Sequence, residues 1–186
     1  LGVRTNSAVK VPPKAIYSIN HSSMKDAVVL FDGGCTGEIV SDQGLLLTNH
    51  HCGFDWIQYH STVEHDYLTH GFWAMSKEEE LPCPGISAVM LKSMEDVTER
   101  VLEGVTKETS NDERAEIVTA NIKKIKEEAE ANSDYQVIIK SFYHGNKYYM
   151  IYNEVFKDVR MVGAPPSNIG KFGGAHRRPC AREEGA

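Results

Sequence analysis

Cys35-Thr36-Gly37-Glu38-Ile39-Val40, then Ser41-Asp42-Gln43-Gly44, then Leu45-Leu46-Leu47-Thr48 is the stretch on which the fold turns. Two apolar runs flank a connection of turn-forming residues, the pattern of a β-hairpin. The leucine run is short and bounded by turn signals, which predicts a buried strand. Just upstream, Val28-Val29-Leu30-Phe31 is strand-like and Gly33-Gly34 punctuates it. Just downstream, Asn49 to Tyr59 reads as a tight turn entering a short helix.

Further out, the pattern alternates between strand and helix periods. Residues 1–14 read as an extended arm and residues 15–26 as one or two helical turns. Pro82 and Pro84 mark a loop before a strand at Ile86–Leu91. Met94, Val97, Val101 and Leu102 then follow helical spacing. Ser110 or Asn111 is placed to cap a longer helix over residues 112–131, with Asp112 and Glu113 in its first turn. Ile117, Ala120, Ile122, Lys124 and Ile125 trace a rough stripe along it, and its remaining charges read as a solvated face. Tyr135–Phe142 and Tyr148–Val155 form a second hairpin around His144-Gly145-Asn146-Lys147, Arg160-Met161-Val162 is one more strand, and Ala164–Asn168 is a loop. The expected class is mainly β with a helical insertion at about residues 94–133.

Composition narrows the function. The chain of 186 residues has 20 Lys+Arg against 26 Asp+Glu, a formal net charge of -6. Nucleic-acid binding requires an excess of Lys and Arg to displace counterions, so it is not expected. With 41% hydrophobic and 25% charged residues, the chain has enough apolar content for a packed core. No apolar run approaches the roughly 20 residues of a membrane span, and no signal peptide is evident. The first residue is Leu1, and the expectation is that the natural start lies upstream. Of the four cysteines, Cys35, Cys52, Cys83 and Cys180, no two have C-x-x-C spacing, so a zinc ribbon or a thioredoxin-like site is unsupported. One or two disulfides in an oxidising compartment remain open.

The block Thr48-Asn49-His50-His51-Cys52-Gly53, taken with Cys35, carries the chemistry. A histidine held at the end of a strand is rigidly placed, as a general base must be. Three readings compete. Metal binding by Cys35, His50, His51, Cys52, His60, His65 and His70 has the spacing against it. Residues five apart lie about 140° apart on a helix and on opposite faces of a strand. Local packing or hydrogen bonding suits His60, His65, His70 and His144. Catalysis is the third reading, with His51 as its candidate.

Cys35–Val40 together with Leu46–Gly53 resembles the start of a trypsin-like serine peptidase. More specifically, the chain is similar to the bacterial dipeptidyl-peptidases 7 and 11. The similarity includes Leu45–Gly53, His60–Leu68, Gly71-Phe72-Trp73-Ala74, Glu79-Glu80-Leu81-Pro82, Asp158–Val162, Ala164-Pro165-Pro166 and Phe172-Gly173-Gly174. It spans roughly residues 15–174, and several separate blocks of this length make coincidence a poor explanation.

The resemblance implies a serine-type enzyme that releases dipeptides from the free N-terminus of oligopeptides. Its Ser-His-Asp triad would lie in a trypsin-like double β-barrel with an added helical domain over the cleft. His51 would be the general base and His50 a packed neighbour. Cys35 and Cys52 would form a disulfide beside the histidine; Cys83, between two prolines, and Cys180, in the tail, are expected from their positions to be unpaired. The resemblance also implies export to the periplasm or cell surface of a Gram-negative bacterium, homodimers, oligopeptide substrates, and neither cofactor nor metal.

The chain also departs from that family. No Gly-x-Ser-x-Gly or Gly-Asp-Ser-Gly occurs in it. The family follows Phe-Gly-Gly with Asp-Thr-Asp-Asn-Trp, where this chain has Ala175-His176-Arg177-Arg178-Pro179-Cys180. The expectation is therefore a fragment: residues 1–174 are the N-terminal part of the peptidase domain, with the triad Asp and Ser absent and no activity alone. A separated half-barrel is also expected to fold poorly, because it leaves strand edges and apolar surface uncovered. A non-catalytic half-barrel that binds peptides or a partner is the rival reading. Residues 175–186 read as an aberrant, unstructured tail. Ala175-His176-Arg177-Arg178 can be encoded GCA CAC CGA CG, and deleting the first C restores GAC ACC GAC, Asp-Thr-Asp, so a frameshift is the expected origin.

Overall fold

The structure, a computed structural model, describes residues 11–171. The tail expected after Gly174, Cys180 and the first ten residues of the expected arm lie outside the described residues. The strands are β1 (Val28–Phe31), β2 (Cys35–Ile39), β3 (Leu46–Thr48), β4 (Phe72–Trp73), β5 (Leu81–Pro82), β6 (Ala88–Asp96), β7 (Gln136–Phe142), β8 (Lys147–Phe156), β9 (Arg160–Met161) and β10 (Gly163–Ala164). The helices are α1 (Pro13–Ile16), α2 (Phe54–His60), α3 (Tyr67–His70), α4 (Thr98–Val101), α5 (Asn111–Ala131) and α6 (Ser167–Gly170). The fold is mixed, with mainly antiparallel sheet and some helices. Two compact units form, one from residues 11–29 and 89–155, the other from residues 30–88 and 156–171.

In the first unit α5 packs on a sheet in which β6, β8 and β7 are neighbours in that order. Ser110 starts α5 with a capping box: its hydroxyl accepts from Glu113 N–H, and the Glu113 carboxylate accepts from Ser110 N–H at 3.0 Å. The core is Val97, Val101, Ile125, Val137, Tyr148 and Met150, joined by Val118, Ile122 and Ala129. The buried face of α5 thus runs 118, 122, 125, 129. The stripe expected from the sequence is half wrong, because Ala120 and Lys124 are exposed. Ala120 is five residues from Ile125, about 140° around the helix from the buried face.

The expected helix at residues 94–102 is shorter. β6 continues to Asp96, Met94 N–H donates to the Asn20 side chain at 3.0 Å, and only Val97 onward turns helical. Pairing of β6 beside β8 overrides the helical spacing of Met94. The strand also starts at Ala88 rather than Ile86, which is buried in the preceding turn. The hairpin of β7 and β8 forms as expected, with Phe142 opposite Lys147. Arg114 of α5 donates to Gly145 O in its turn at 2.8 Å.

In the second unit β2 and β3 form the expected hairpin, with Gly37 opposite Thr48 and Ile39 opposite Leu46. Gly37 allows the close approach, since a Cβ there would lie 2.7 Å from Leu46 Cδ2. Leu46 packs toward Phe31, Cys83 and Ile86. Leu45 and Leu47, however, are 42% and 53% exposed. The buried strand expected here is therefore half-buried. β3 ends its sheet, and period-two alternation turns every second leucine away from the core. The short pairs β4–β10 and β5–β9 complete this unit, with Cys83 N–H donating to Val159 O at 2.9 Å. α6 lies near α3.

Candidate active site

The hairpin delivers the candidate histidines. Directly after β3 the chain closes into one tight turn, His50–Cys52, before α2 begins. Cys52 N–H donates to Asn49 O at 2.9 Å and Gly53 N–H to His50 O at 3.2 Å. The turn gives the two histidines different surroundings: His51 is exposed and His50 partly buried.

Cys35 of β2 and Cys52 at the end of the turn are joined by a disulfide, with Cα atoms 6.1 Å apart. Both half-cystines pack on the core of Phe31, Cys83 and Ile86. The His51 ring lies against this bridge, its Nε2 3.4 Å from Cys52 Sγ and 4.0 Å from Cys35 Sγ. Disulfide sulfur is a weak hydrogen-bond acceptor. Among the described residues no carboxylate hydrogen-bonds to His51. Its imidazole is thus tethered at the backbone, open to solvent, and held on one side only by sulfur.

His50 is set in protein. Its ring lies 5.9 Å from that of Phe54, and Lys171 Nζ sits 4.4 Å above the other ring, that of Phe54. Gly170 backs the imidazole so closely that a Cβ there would lie 2.2 Å from His50 Cδ2. Both ring nitrogens of His50 are buried without a hydrogen-bond partner among the described residues, as is Ser167 Oγ. The packing expected of His50 is present, without a hydrogen bond to its ring among the described residues. Burial above all, then the charges of Lys171 and His51, lowers its pKa below the ordinary imidazole value, so the neutral ring is favoured. Phe54, Leu68, Thr69, Ser167, Asn168 and Lys171 line an adjoining cavity of about 310 Å³. Gly170 and Ser167 were missed by sequence reasoning. They follow Pro165-Pro166, where the sequence has no periodic signal and a loop is expected to run to Asn168; the structure instead forms α6 there, and only the fold brings it to His50.

The other histidines go elsewhere. His60 Nε2 lies 2.9 Å from Pro82 O, and His65 stacks beside Tyr67. His144 sits in the turn of β7 and β8, in the other unit. Cys83 is buried and unpaired among the described residues, and burial raises its pKa, so it is an inert thiol. Among the described residues, Cys35, His51 and Cys52 are the one group of three potential metal ligands close enough to share an ion, their ligand atoms lying within 4.8 Å. With both sulfurs bonded to each other, no thiolate is available for one. No helix among the described residues is long and apolar enough to cross a membrane.

Comparison with known proteins bears on this arrangement. The chain is 51% identical over 168 residues to an Asp/Glu-specific dipeptidyl-peptidase of Flavobacterium psychrophilum, covering 90% of this chain and 24% of that protein. It is 51% identical over 166 residues to a dipeptidyl-peptidase 7 of Phocaeicola vulgatus, covering 86% of this chain and 23% of that one. A crystal structure of Porphyromonas endodontalis dipeptidyl-peptidase 11 in complex with substrate superposes with a TM-score of 0.72 at 47% identity, over 89% of this chain and 25% of that chain. The chain therefore spans about a quarter of the length of the curated relatives it matches. The family model of peptidase S46 matches residues 3–177, a range that takes in the hairpin, the disulfide and both histidines of the turn, and the chain belongs to that family.

Proposed function

We propose that these residues are the histidine-bearing part of a serine-type dipeptidyl aminopeptidase that releases dipeptides from the free N-terminus of oligopeptides. The observation that carries the reading is His51: an exposed imidazole directly after a strand, on a turn closed by a disulfide, within a chain about half identical to named dipeptidyl-peptidases. In that role His51 Nε2 takes the proton of the serine hydroxyl as it attacks the scissile carbonyl, then returns it to the leaving amine. The ring must first swing off the disulfide, where Nε2 now points. A triad carboxylate at Nδ1 would supply that orientation. These 186 residues provide neither the Gly-x-Ser-x-Gly nucleophile segment nor an oxyanion hole beside it, so alone they do not turn over substrate.

The same reading includes the finer architecture. Residues 1–174 are the N-terminal part of a trypsin-like double barrel, and α4 and α5 belong to a helical insertion at about residues 94–133. Export to the periplasm or cell surface suits a disulfide next to the catalytic base. The whole enzyme is a homodimer acting on oligopeptides. Identity of 51% to both an Asp/Glu-specific enzyme and a dipeptidyl-peptidase 7 supports a division of labour: this quarter holds the base and its frame, and side-chain preference lies in the remainder.

A chimera tests it. These residues replace the matching quarter of the Flavobacterium relative, and turnover of a dipeptide-linked chromogenic substrate is measured. The expected result is an active enzyme in which His51→Ala lowers kcat by on the order of 10⁴-fold or more. Near-normal activity of that variant removes His51 from the role. Turnover by the 186-residue chain alone, abolished by His51→Ala, overturns the claim that it is inactive by itself.

A further inference from the structure

We propose that reduction of the Cys35–Cys52 disulfide converts the wall of the candidate active site into a zinc site whose third ligand is His51 Nε2. A Cys₂His ligand set has bonds of about 2.3 Å to sulfur and about 2.0–2.1 Å to nitrogen, so a tetrahedral ion places each sulfur roughly 3.6 Å from the nitrogen. His51 Nε2 lies 3.4 Å from Cys52 Sγ and 4.0 Å from Cys35 Sγ, bracketing that value on both sides. The nitrogen is therefore already placed, and only the two sulfurs must move. Once reduced they repel to non-bonded distance, roughly the 3.8 Å that two thiolates on one tetrahedral ion require. Cα atoms 6.1 Å apart on a β-hairpin strand and a tight turn let that movement occur by side-chain rotation.

The site has an open side. Cys35 and Cys52 rest on the core, whereas His51 is exposed, so the fourth position faces water. Two thiolates and a neutral imidazole around Zn²⁺ make a neutral assembly, with no net charge to bury. The reaction balances with a trialkylphosphine as reductant: phosphine, water and disulfide give phosphine oxide and two thiols. Zn²⁺ then displaces two thiol protons as its two Zn–S bonds form, while His51 donates its Nε2 lone pair.

The consequence for catalysis rests on His51 being the base. An Nε2 lone pair engaged by zinc cannot accept the serine proton. The oxidised disulfide would then do more than brace the hairpin: it would keep the two thiolates from capturing the histidine.

The test uses the full 186-residue chain, reduced with excess phosphine, then titrated with Zn²⁺ and, as a spectroscopic stand-in, Co²⁺. The expected result is one ion per chain, thiolate-to-cobalt charge-transfer absorption, two protons released, and no binding by the oxidised chain. Cys35→Ser and Cys52→Ser abolish binding, and Cys83→Ser and Cys180→Ser leave it unchanged. His51→Ala weakens it beyond the ~10–100-fold that loss of an outer-shell partner costs. Far-UV circular dichroism is recorded alongside. No binding, binding indifferent to His51, or a reduced chain that unfolds and is not refolded by zinc each overturns the proposal. In the chimera, zinc is expected to inhibit only after reduction and to be reversed by a chelator. If the chain binds zinc through His51 while the chimera stays active, the zinc site stands and the assignment of His51 as base fails.

Discussion

His50 and His51 are adjacent and chemically alike, yet the fold assigns them opposite surroundings. Gly170 is the residue that makes the first of these possible. Its substitution by Ala puts a methyl 2.2 Å from His50 Cδ2, against a ring packed on protein rather than free to swing. Gly170→Ala is expected to lower stability by about 1–3 kcal/mol, the usual cost of overpacking. Gly34→Ala, between β1 and β2 and with nothing within 4 Å of the new Cβ, is the control expected within about 0.5 kcal/mol of the parent. Urea midpoints decide it, and equal effects would refute the close contact. His50 also carries a pH dependence. Its folded pKa lies below the ordinary value, so between the two the unfolded chain binds more protons than the folded one. That stability is fully present above the ordinary imidazole value of about 6.5 and is lost as the pH falls below it. Urea midpoints at pH 7.5 and 5.5 should differ more for the parent than for His50→Gln, and an unchanged difference would assign the effect to another group.

At the scale of elements, α5 shows how pattern and packing divide the work. The cap was readable because Ser110 and Glu113 lie three apart and satisfy each other's backbone donors without help from the rest of the chain. The buried face was read only roughly, because Ile117, Ile122 and Ile125 do not define one line and Val118 and Ala129 are the residues that complete it. Ile125→Ala should cost about 2–5 kcal/mol, and Ala120→Gln should stay within about 0.5 kcal/mol. Thermal or urea unfolding checks both, and similar losses would mean that α5 is rotated from the described face. The β2–β3 hairpin makes the matching point for strands. Three leucines in a row read as buried, but a strand whose sheet packs on the core with one face buries only alternate residues.

At the scale of the whole molecule, the disulfide acts on the unfolded chain as much as on the folded one. Cys35 and Cys52 are 17 residues apart, and closing a loop of that size contributes about 3 kcal/mol in the chain-entropy model. Cys35→Ala/Cys52→Ala should lose about that much, and the reduced parent should lose a similar amount when zinc is absent. Peptide mapping of the non-reduced protein should recover the Cys35–Cys52 pair. Cys35 found free, or joined to Cys83, would sink this prediction. In the second unit Leu30 of β1 and Leu47 of β3 are exposed apolar strand residues.

Short-range rules were legible without coordinates. The hairpin at residues 35–48, the capped helix, the hairpin of β7 and β8 and the turn carrying His50 and His51 all depend on contacts between residues near in sequence, so composition and spacing reveal them. The family resemblance supplied the cysteine pairing that spacing alone left open. What only the tertiary structure decided depends on residues brought together from afar. Gly170 and Phe54 enclose His50, Val159 pairs with Cys83, and Asn20 holds Met94 in a strand that its spacing had marked as helix. The position of the His51 ring on the disulfide belongs to this class as well. It arises because β2 and the turn after β3 meet at one point, and that meeting turns a local motif into a site.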